Sequence, residues 1–105
     1  MSSPASALKA IKSAINAANW RPDPHLLKQL TKRELQLTDV LTATANAKRI
    51  EPHDMRPLNA DGESWRVYGE DADGRLLGIG VELVRDTDGN FVVIITAFQK
   101  EERGK

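Results

Sequence analysis

Residues 64–98 read SWRVYGEDADGRLLGIGVELVRDTDGNFVVIITAF, and this stretch decides the fold. Three runs rich in β-branched, aromatic and aliphatic residues are separated by two Asp/Gly turn signals, Asp71–Gly74 and Asp86–Gly89. Runs of this kind joined by short turns predict an antiparallel meander. In the last run Phe91, Val93, Ile95 and Ala97 alternate with Val92, Ile94, Thr96 and Phe98, so both faces are apolar and the strand is expected to be central. In the middle run Leu77, Ile79, Val81 and Leu83 alternate with Gly78, Gly80 and Glu82. Two adjacent positions on one face therefore carry no side chain, which marks a bulge, a bend or the close approach of a ligand or another backbone. The first run sets Arg66 and Tyr68 on one face and Trp65 and Val67 on the other. A two-residue Asp73-Gly74 turn would pair Tyr68 with Ile79, and a turn one residue longer would pair it with Gly78. A slip of one residue exchanges the faces, so both registers stay open at this point.

Upstream the pattern changes from period two to helical. Ser3-Pro4 is a capping hydroxyl followed by proline at the first helical position, where its missing N–H costs nothing. Leu8, Ile11, Ile15 and Ala18 follow at helical spacing, predicting a helix over 4–18 that ends at Asn19-Trp20-Arg21-Pro22. Trp20 is expected to plug a seam between helices. Asp23-Pro24 repeats the start signal for a helix over 24–35, with Leu26, Leu27, Leu30 and Leu35 inward and His25, Lys28, Gln29 and Lys32 along a polar stripe. A third helix, from 36 or 38 to 47, turns Val40, Leu41 and Thr44 inward. Arg49–Pro52 reads as a short edge strand, where proline is tolerated, and 53–62 as a loop. The expected architecture is α+β: two to three N-terminal helices on one face of a three- to four-stranded antiparallel meander, with the other face as the place for a site. Residues 1–105 make one domain, with 99–105 a flexible tail.

A hydrophobic fraction of 40% and a charged fraction of 29% are ordinary for a globular chain. No apolar run is long enough to span a bilayer, and the first twenty residues lack the apolar core of a secretory signal, so the expected location is cytoplasmic, with no membrane partner. With no cysteine, disulfides and thiolate metal sites are excluded. The net charge of zero hides an asymmetry: residues 1–50 carry eight Lys and Arg against three Asp and Glu, and residues 51–105 carry seven against twelve. A basic helical half beside an acidic half offers a positive face to an anion such as nucleic acid, although mixed charges also simply keep a small surface soluble.

No phosphate-cradling glycine loop, metal-ligand spacing or nucleophile elbow is present, and neither a metal nor a cofactor is expected. The Asp86–Asn90 run lacks the ligand spacing of a calcium loop and reads as a hairpin turn. What remains for chemistry is His25, Lys28 and Lys32 on a helix, with Arg66, Tyr68 and Thr96 on strands. A neutral imidazole can act as a general base near neutral pH, and Arg or Lys can stabilise a pentavalent phosphorane. Those are the needs of metal-independent RNA cleavage. A histidine in the first turn of a helix also commonly does no more than hydrogen-bond locally.

The order of short motifs adds a resemblance. His25, Arg33 eight residues later, Val40, Val67-Tyr68-Gly69, Asp73-Gly74-Arg75 and Thr96-Ala97-Phe98 together resemble the bacterial family called domain of unknown function 4258, over about residues 24–98. Leu27 and Gln29 stand where members often carry basic residues, and Gln36 stands where a serine often caps the next helix. That family is similar in layout to RelE-like and barnase-like ribonuclease toxins, in which helices cover one face of a curved sheet and RNA lies on the other. The resemblance implies a catalytic set of His25, Arg66, Tyr68 and Thr96, with substrate held by Lys28, Lys32, Arg33, Gly78 and Gly80. The implied partners are RNA and a cognate antitoxin. Helix 4–18 lies outside the resemblance and is expected to be accessory, as a homodimer or partner element. The alternative is a non-catalytic protein-binding module of the immunity or antitoxin kind, suggested by the acidic half and the sparse basic residues. A third reading is a sheet that binds a small metabolite between Gly78 and Gly80.

Overall fold

Side-chain caps set the helices where the sequence predicts them. In the computed structural model, which describes residues 3–53, 62–86 and 89–99, the Ser3 hydroxyl accepts from the Ser6 N–H at 3.2 Å and opens α1, Pro4–Asn16. Asp23 accepts from the His25 N–H at 2.9 Å and opens α2, Pro24–Lys32. The Asp39 carboxylate accepts from the Gln36 N–H at 2.9 Å at the start of α3, Leu37–Ala45. Helix α2 is shorter than expected because Glu34 turns to φ 55°, which returns Leu35 to the core. Leu27, expected inward, is 48% exposed on the outer side of α2.

Five strands form one mixed sheet. They are β1 (Trp20–Pro22), β2 (Arg49–Pro52), β3 (Gly62–Glu70), β4 (Leu76–Asp86) and β5 (Gly89–Gln99), in the order β1-β5-β4-β3-β2. The meander β3–β4–β5 and the edge strand β2 are antiparallel, as expected. The expectation missed β1, which pairs parallel with β5 through Trp20↔Val92, Arg21↔Val93 and Pro22↔Ile94. Three residues between two helices give no periodicity to read, and a proline closes the run. After Pro22 the chain leaves the sheet, the Asp23 N–H still donating to the Ile94 carbonyl at 2.8 Å, and α2 continues alongside β5.

The helices cover one face. Ala7, Ile11 and Ala14 of α1, Leu26 and Leu30 of α2, and Val40 and Ala43 of α3 are buried against Trp65, Val67, Leu77, Ile79, Val81, Leu83, Val92, Ile94 and Ala97. Each large side chain removed from water here stabilises the fold by about 1.5–3 kcal/mol. Trp20 packs at the margin of this core, half-buried beside the helices.

The turn between β3 and β4 settles the register: Tyr68 pairs with Gly78 and Arg66 with Gly80, so both polar side chains share the face of the two glycines. A second feature was not legible. Gly80 pairs with Thr96 while Val81 pairs with Ile94, which leaves Ile95 as an extra residue in β5. Strict alternation would put Thr96 and Phe98 on the helix face with Ile94. The bulge at Ile95 reverses this, sending Ala97 into the core and bringing Thr96 and Phe98 to the face of Arg66 and Tyr68. The expected loop residues 54–61, the tip of the Asp86–Gly89 turn and the tail beyond 99 lie outside the described residues.

A buried carboxylate fixes the β3–β4 turn. Asp71 accepts from the Asp73 N–H and the Arg75 N–H, both at 2.9 Å, and from Arg75 Nε at 2.7 Å. Arg75 also reaches Asp39 of α3 at 3.3 Å, which ties the turn to the helix layer. Burial opposes ionisation of Asp71, but hydrogen bonds from Arg75 and Asp73 outweigh it and hold the carboxyl below its ordinary 3.8. The stabilisation from this group is therefore complete above the unfolded carboxyl's titration and is lost as pH falls through the lower folded value. Asp71→Asn is expected to lower the urea midpoint at pH 7, and the gap from the native chain should narrow in melts run at pH 3. A constant gap across that range would refute the role of the charge.

Candidate functional site

The sheet register lays out the face opposite the helices as rows. One row runs Arg49, Tyr68, Gly78, Phe98; the next runs Glu51, Arg66, Gly80, Thr96; the third holds Ser64, Glu82, Val93 and Arg21. His53 extends β2 toward the third row, its N–H donating to the Ser64 carbonyl at 3.1 Å. Rows are about 6–7 Å apart and neighbouring strands about 5 Å, so these side chains form a compact patch. The face is not bare. Ser64, Tyr68, Glu82 and Val93 are buried, while Glu51, His53, Arg66, Thr96 and Phe98 are half-buried and border solvent.

Gly80 is the centre of the patch. A Cβ built there would stand 2.6 Å from Thr96 Cγ2 and 2.9 Å from Cδ2 and Nε2 of His53, so the missing side chain leaves the space that these two residues share. Beside it, the ring of Phe98 occupies the equivalent space over Gly78. Both expected glycine positions thus serve the close approach of side chains from this chain, and Gly80 draws together Thr96, His53 and, through strand pairing, Arg66.

The guanidinium of Arg66 lies 5.6 Å from the centre of the Phe98 ring, and its Nη1 is 3.7 Å from the Glu51 carboxylate. Its Nε is buried with no hydrogen-bond partner among the described residues, as is the Ser64 hydroxyl. Tyr68 donates its phenolic O–H to the same Glu51 oxygen at 3.0 Å and lies under Arg49, 4.9 Å from ring centre to guanidinium. Glu51 therefore orients Arg66 and Tyr68 together.

His25 reaches the patch through one residue. The Thr96 hydroxyl donates to Gln29 Oε1 at 2.6 Å, and Gln29 Nε2 lies 2.8 Å from His25 Nε2. Since the amide nitrogen can only donate, the network assigns the lone pair to His25 Nε2 and the proton to its Nδ1. Helix α2 runs beside β5 where β1 has ended, which is why residues one turn apart on the helix can meet a strand side chain. Arg33, on the same stripe, donates to the Ala97 carbonyl at 2.6 Å and pins α2 to β5. Lys28 and Lys32 are exposed on the outer part of the helix.

Of the residues singled out from the sequence, the structure brings together Arg66, Thr96 and Gly80 directly and joins His25 to them through Gln29. Tyr68 and Gly78 form the adjacent row. Sequence reasoning missed His53, Glu51 and Gln29. The period-two spacing of Arg49, Glu51 and His53 was a usable signal, because it sets all three on one side of the edge strand. Gln29 carried a misleading one, as a neutral residue within a basic stripe. Among the described residues no three His, Asp or Glu side chains gather to hold a metal ion, and no helix is long and apolar enough to cross a membrane.

No curated protein matches the chain. Residues 23–99, which carry α2, α3, strands β2 to β5 and every member of the patch around Gly80 except Arg21, match the family model described as domain of unknown function (DUF4258). The chain belongs to that family.

Proposed function

We propose that the protein is a metal-independent endoribonuclease with a RelE-like layout, acting as a toxin or derived from one. The observation that carries this reading is the convergence of Arg66, Thr96 and His53 over Gly80, with His25 joined to Thr96 through Gln29. It supplies two imidazoles, a guanidinium with an idle N–H and a hydroxyl on one patch. In the reaction, one imidazole takes the proton from a ribose 2′-OH as its oxygen attacks the adjacent phosphorus. The P–O5′ bond breaks as the other imidazole returns a proton to the leaving oxygen. The products are a 2′,3′-cyclic phosphate and a 5′-hydroxyl, and atoms balance without water or metal. His25 is assigned as the base, its Nε2 lone pair passing from the Gln29 amide to the incoming 2′-OH, and His53 as the acid. Arg66 meets the charge that gathers on the phosphorane, where a fixed donor pair is worth more than in the ground state. Thr96 donates to Gln29, so its oxygen lone pairs remain available to the attacking 2′-OH.

One observation favours a second reading, a non-catalytic protein-binding module. Glu51 places a carboxylate beside Arg66, which opposes the approach of a phosphate. On that reading the patch is a surface for a basic protein partner.

Purified protein incubated with single-stranded RNA and a chelator is expected to yield fragments ending in 2′,3′-cyclic phosphate. Arg66→Ala and His25→Ala should each lower the rate by about 10²-fold or more, in line with single catalytic groups, and should relieve growth arrest when the chain is induced in a bacterial host. RNA left intact by the native chain, with unaffected growth, would sink the ribonuclease reading and leave the binding module leading. Gly80→Ala separates geometry from stability. The added methyl must displace Thr96 and His53, so cleavage should fall by about 10-fold or more while folding loses only about 1–3 kcal/mol. A variant that keeps full activity would show that the convergence over Gly80 is not the site.

A further inference from the structure

Beyond the patch lies a basic cleft of about 450 Å³ at the end of the sheet where β2 begins and β3 finishes. It is lined by Lys12 from α1, Asn46 at the end of α3, Lys48, Arg49, Tyr68, Glu70 and Asp71. Three cations therefore share one hollow with two carboxylates, and Asp71 is already neutralised by Arg75. Part of the arrangement has a structural reason. Lys12 Nζ donates to the Ala47 carbonyl at 3.0 Å, in the connection that follows α3. That hydrogen bond accounts for Lys12, and stacking on the Tyr68 ring accounts for Arg49, but neither gives a reason for Lys48 to line the same hollow. With Asp71 paired to Arg75, Glu70 offsets one of the three cations and the hollow keeps an excess of positive charge that an anion would offset.

The cleft is continuous with the patch. Tyr68 lines the cleft, and on the same face of β3 its neighbour two residues back is Arg66. Arg49 stacks on the Tyr68 ring, so a cation and an aromatic plane stand between the two places. Volume also fits, since a hollow of this size accommodates a nucleotide unit.

We infer that this cleft is a phosphate subsite for single-stranded RNA, holding the backbone one step away from the phosphate that Arg66 engages. The inference rests on the ribonuclease reading for the identity of the ligand. Its consequence is that α1, outside the family-matched residues 23–99, supplies Lys12 to the bound strand as well as covering the core.

The test uses the full chain and fluorescent 2′-O-methyl RNA, which cannot be cleaved, in lengths from two to twelve nucleotides. Affinity is read by anisotropy across a salt series. Native protein is expected to prefer the longer strand, and the Lys12→Gln/Lys48→Gln double variant should cut that preference about 10-fold. The slope of log affinity against log salt should fall by about 0.7 for each phosphate that the variant no longer neutralises. Since Lys12 also ties α1 to the Ala47 carbonyl, the exposed Lys48→Glu alone serves as a second variant, with thermal melts confirming that it folds; it should show the same weakening. An unchanged length preference and salt slope in both variants would overturn the subsite, as would a native chain that binds no strand of any length. Cleavage by the native chain with no effect of either variant would remove the subsite and leave the ribonuclease reading standing. Lysine-dependent binding of long strands without cleavage would do the reverse.

Discussion

One extra residue in β5 governs what the far face of the sheet can do. With Ile95 bulged opposite Gly80 and Val81, the last four residues of the strand exchange faces relative to a regular ladder. Ala97 then closes the core under α2, and Thr96 joins Arg66 on the other side. Without the bulge a threonine and a phenylalanine would press into the helix layer and an alanine would stand over the glycines. The core would be overfilled and the patch would be without its hydroxyl. The same step twists the strand locally, at the place where β1 has ended and α2 lies alongside.

The second constraint is the early exit of β1. Its three residues pair with β5 only as far as Ile94, and the Asp23 N–H makes the last bond to the sheet before its side chain caps α2. A longer β1 would have covered the edge of β5 next to Thr96. Because it stops, Gln29 and Arg33 reach β5 directly, one accepting from Thr96 and the other donating to the Ala97 carbonyl. The short strand, the capped helix and the bulge thus act on the same few residues.

Much of this architecture is written in local pattern. The helix starts at Ser3-Pro4 and Asp23-Pro24, the edge strand at Arg49–Pro52 and the three strands of the meander all follow from capping residues, turn residues and periodicity. What escaped was set by tertiary geometry. Trp20–Pro22 is too short for a period, so nothing marks it as a strand until β5 is there to pair with it. The bulge at Ile95 sits in a run that is apolar at nearly every position, where a change of face leaves no trace in hydrophobicity. The candidate site was legible as residue types, His25, Arg66 and Thr96, but its assembly was not. The register placing Arg66 on the glycine face depended on one residue in the β3–β4 turn, and His53 read as the first residue of a loop, whereas its ring lies over Gly80.

A sheet face built only for stability would be filled differently. At the centre of this one stand two glycines and a fully buried Glu82, together with a Ser64 hydroxyl and an Arg66 Nε that have no hydrogen-bond partners among the described residues. Each of those two orphaned polar groups costs about 1–3 kcal/mol, and the two glycines give their space to Phe98, Thr96 and His53. The helix face shows that this chain can do otherwise, since there it buries Trp65, Ile79, Leu83 and Ile94 completely or nearly so. The contrast between the two faces of the same strands locates the departure from stable packing. Local choices that disagree with the rest of a fold gather where something other than folding sets them. Here they gather around Gly80, between the basic stripe of α2 and the acidic edge at Glu51.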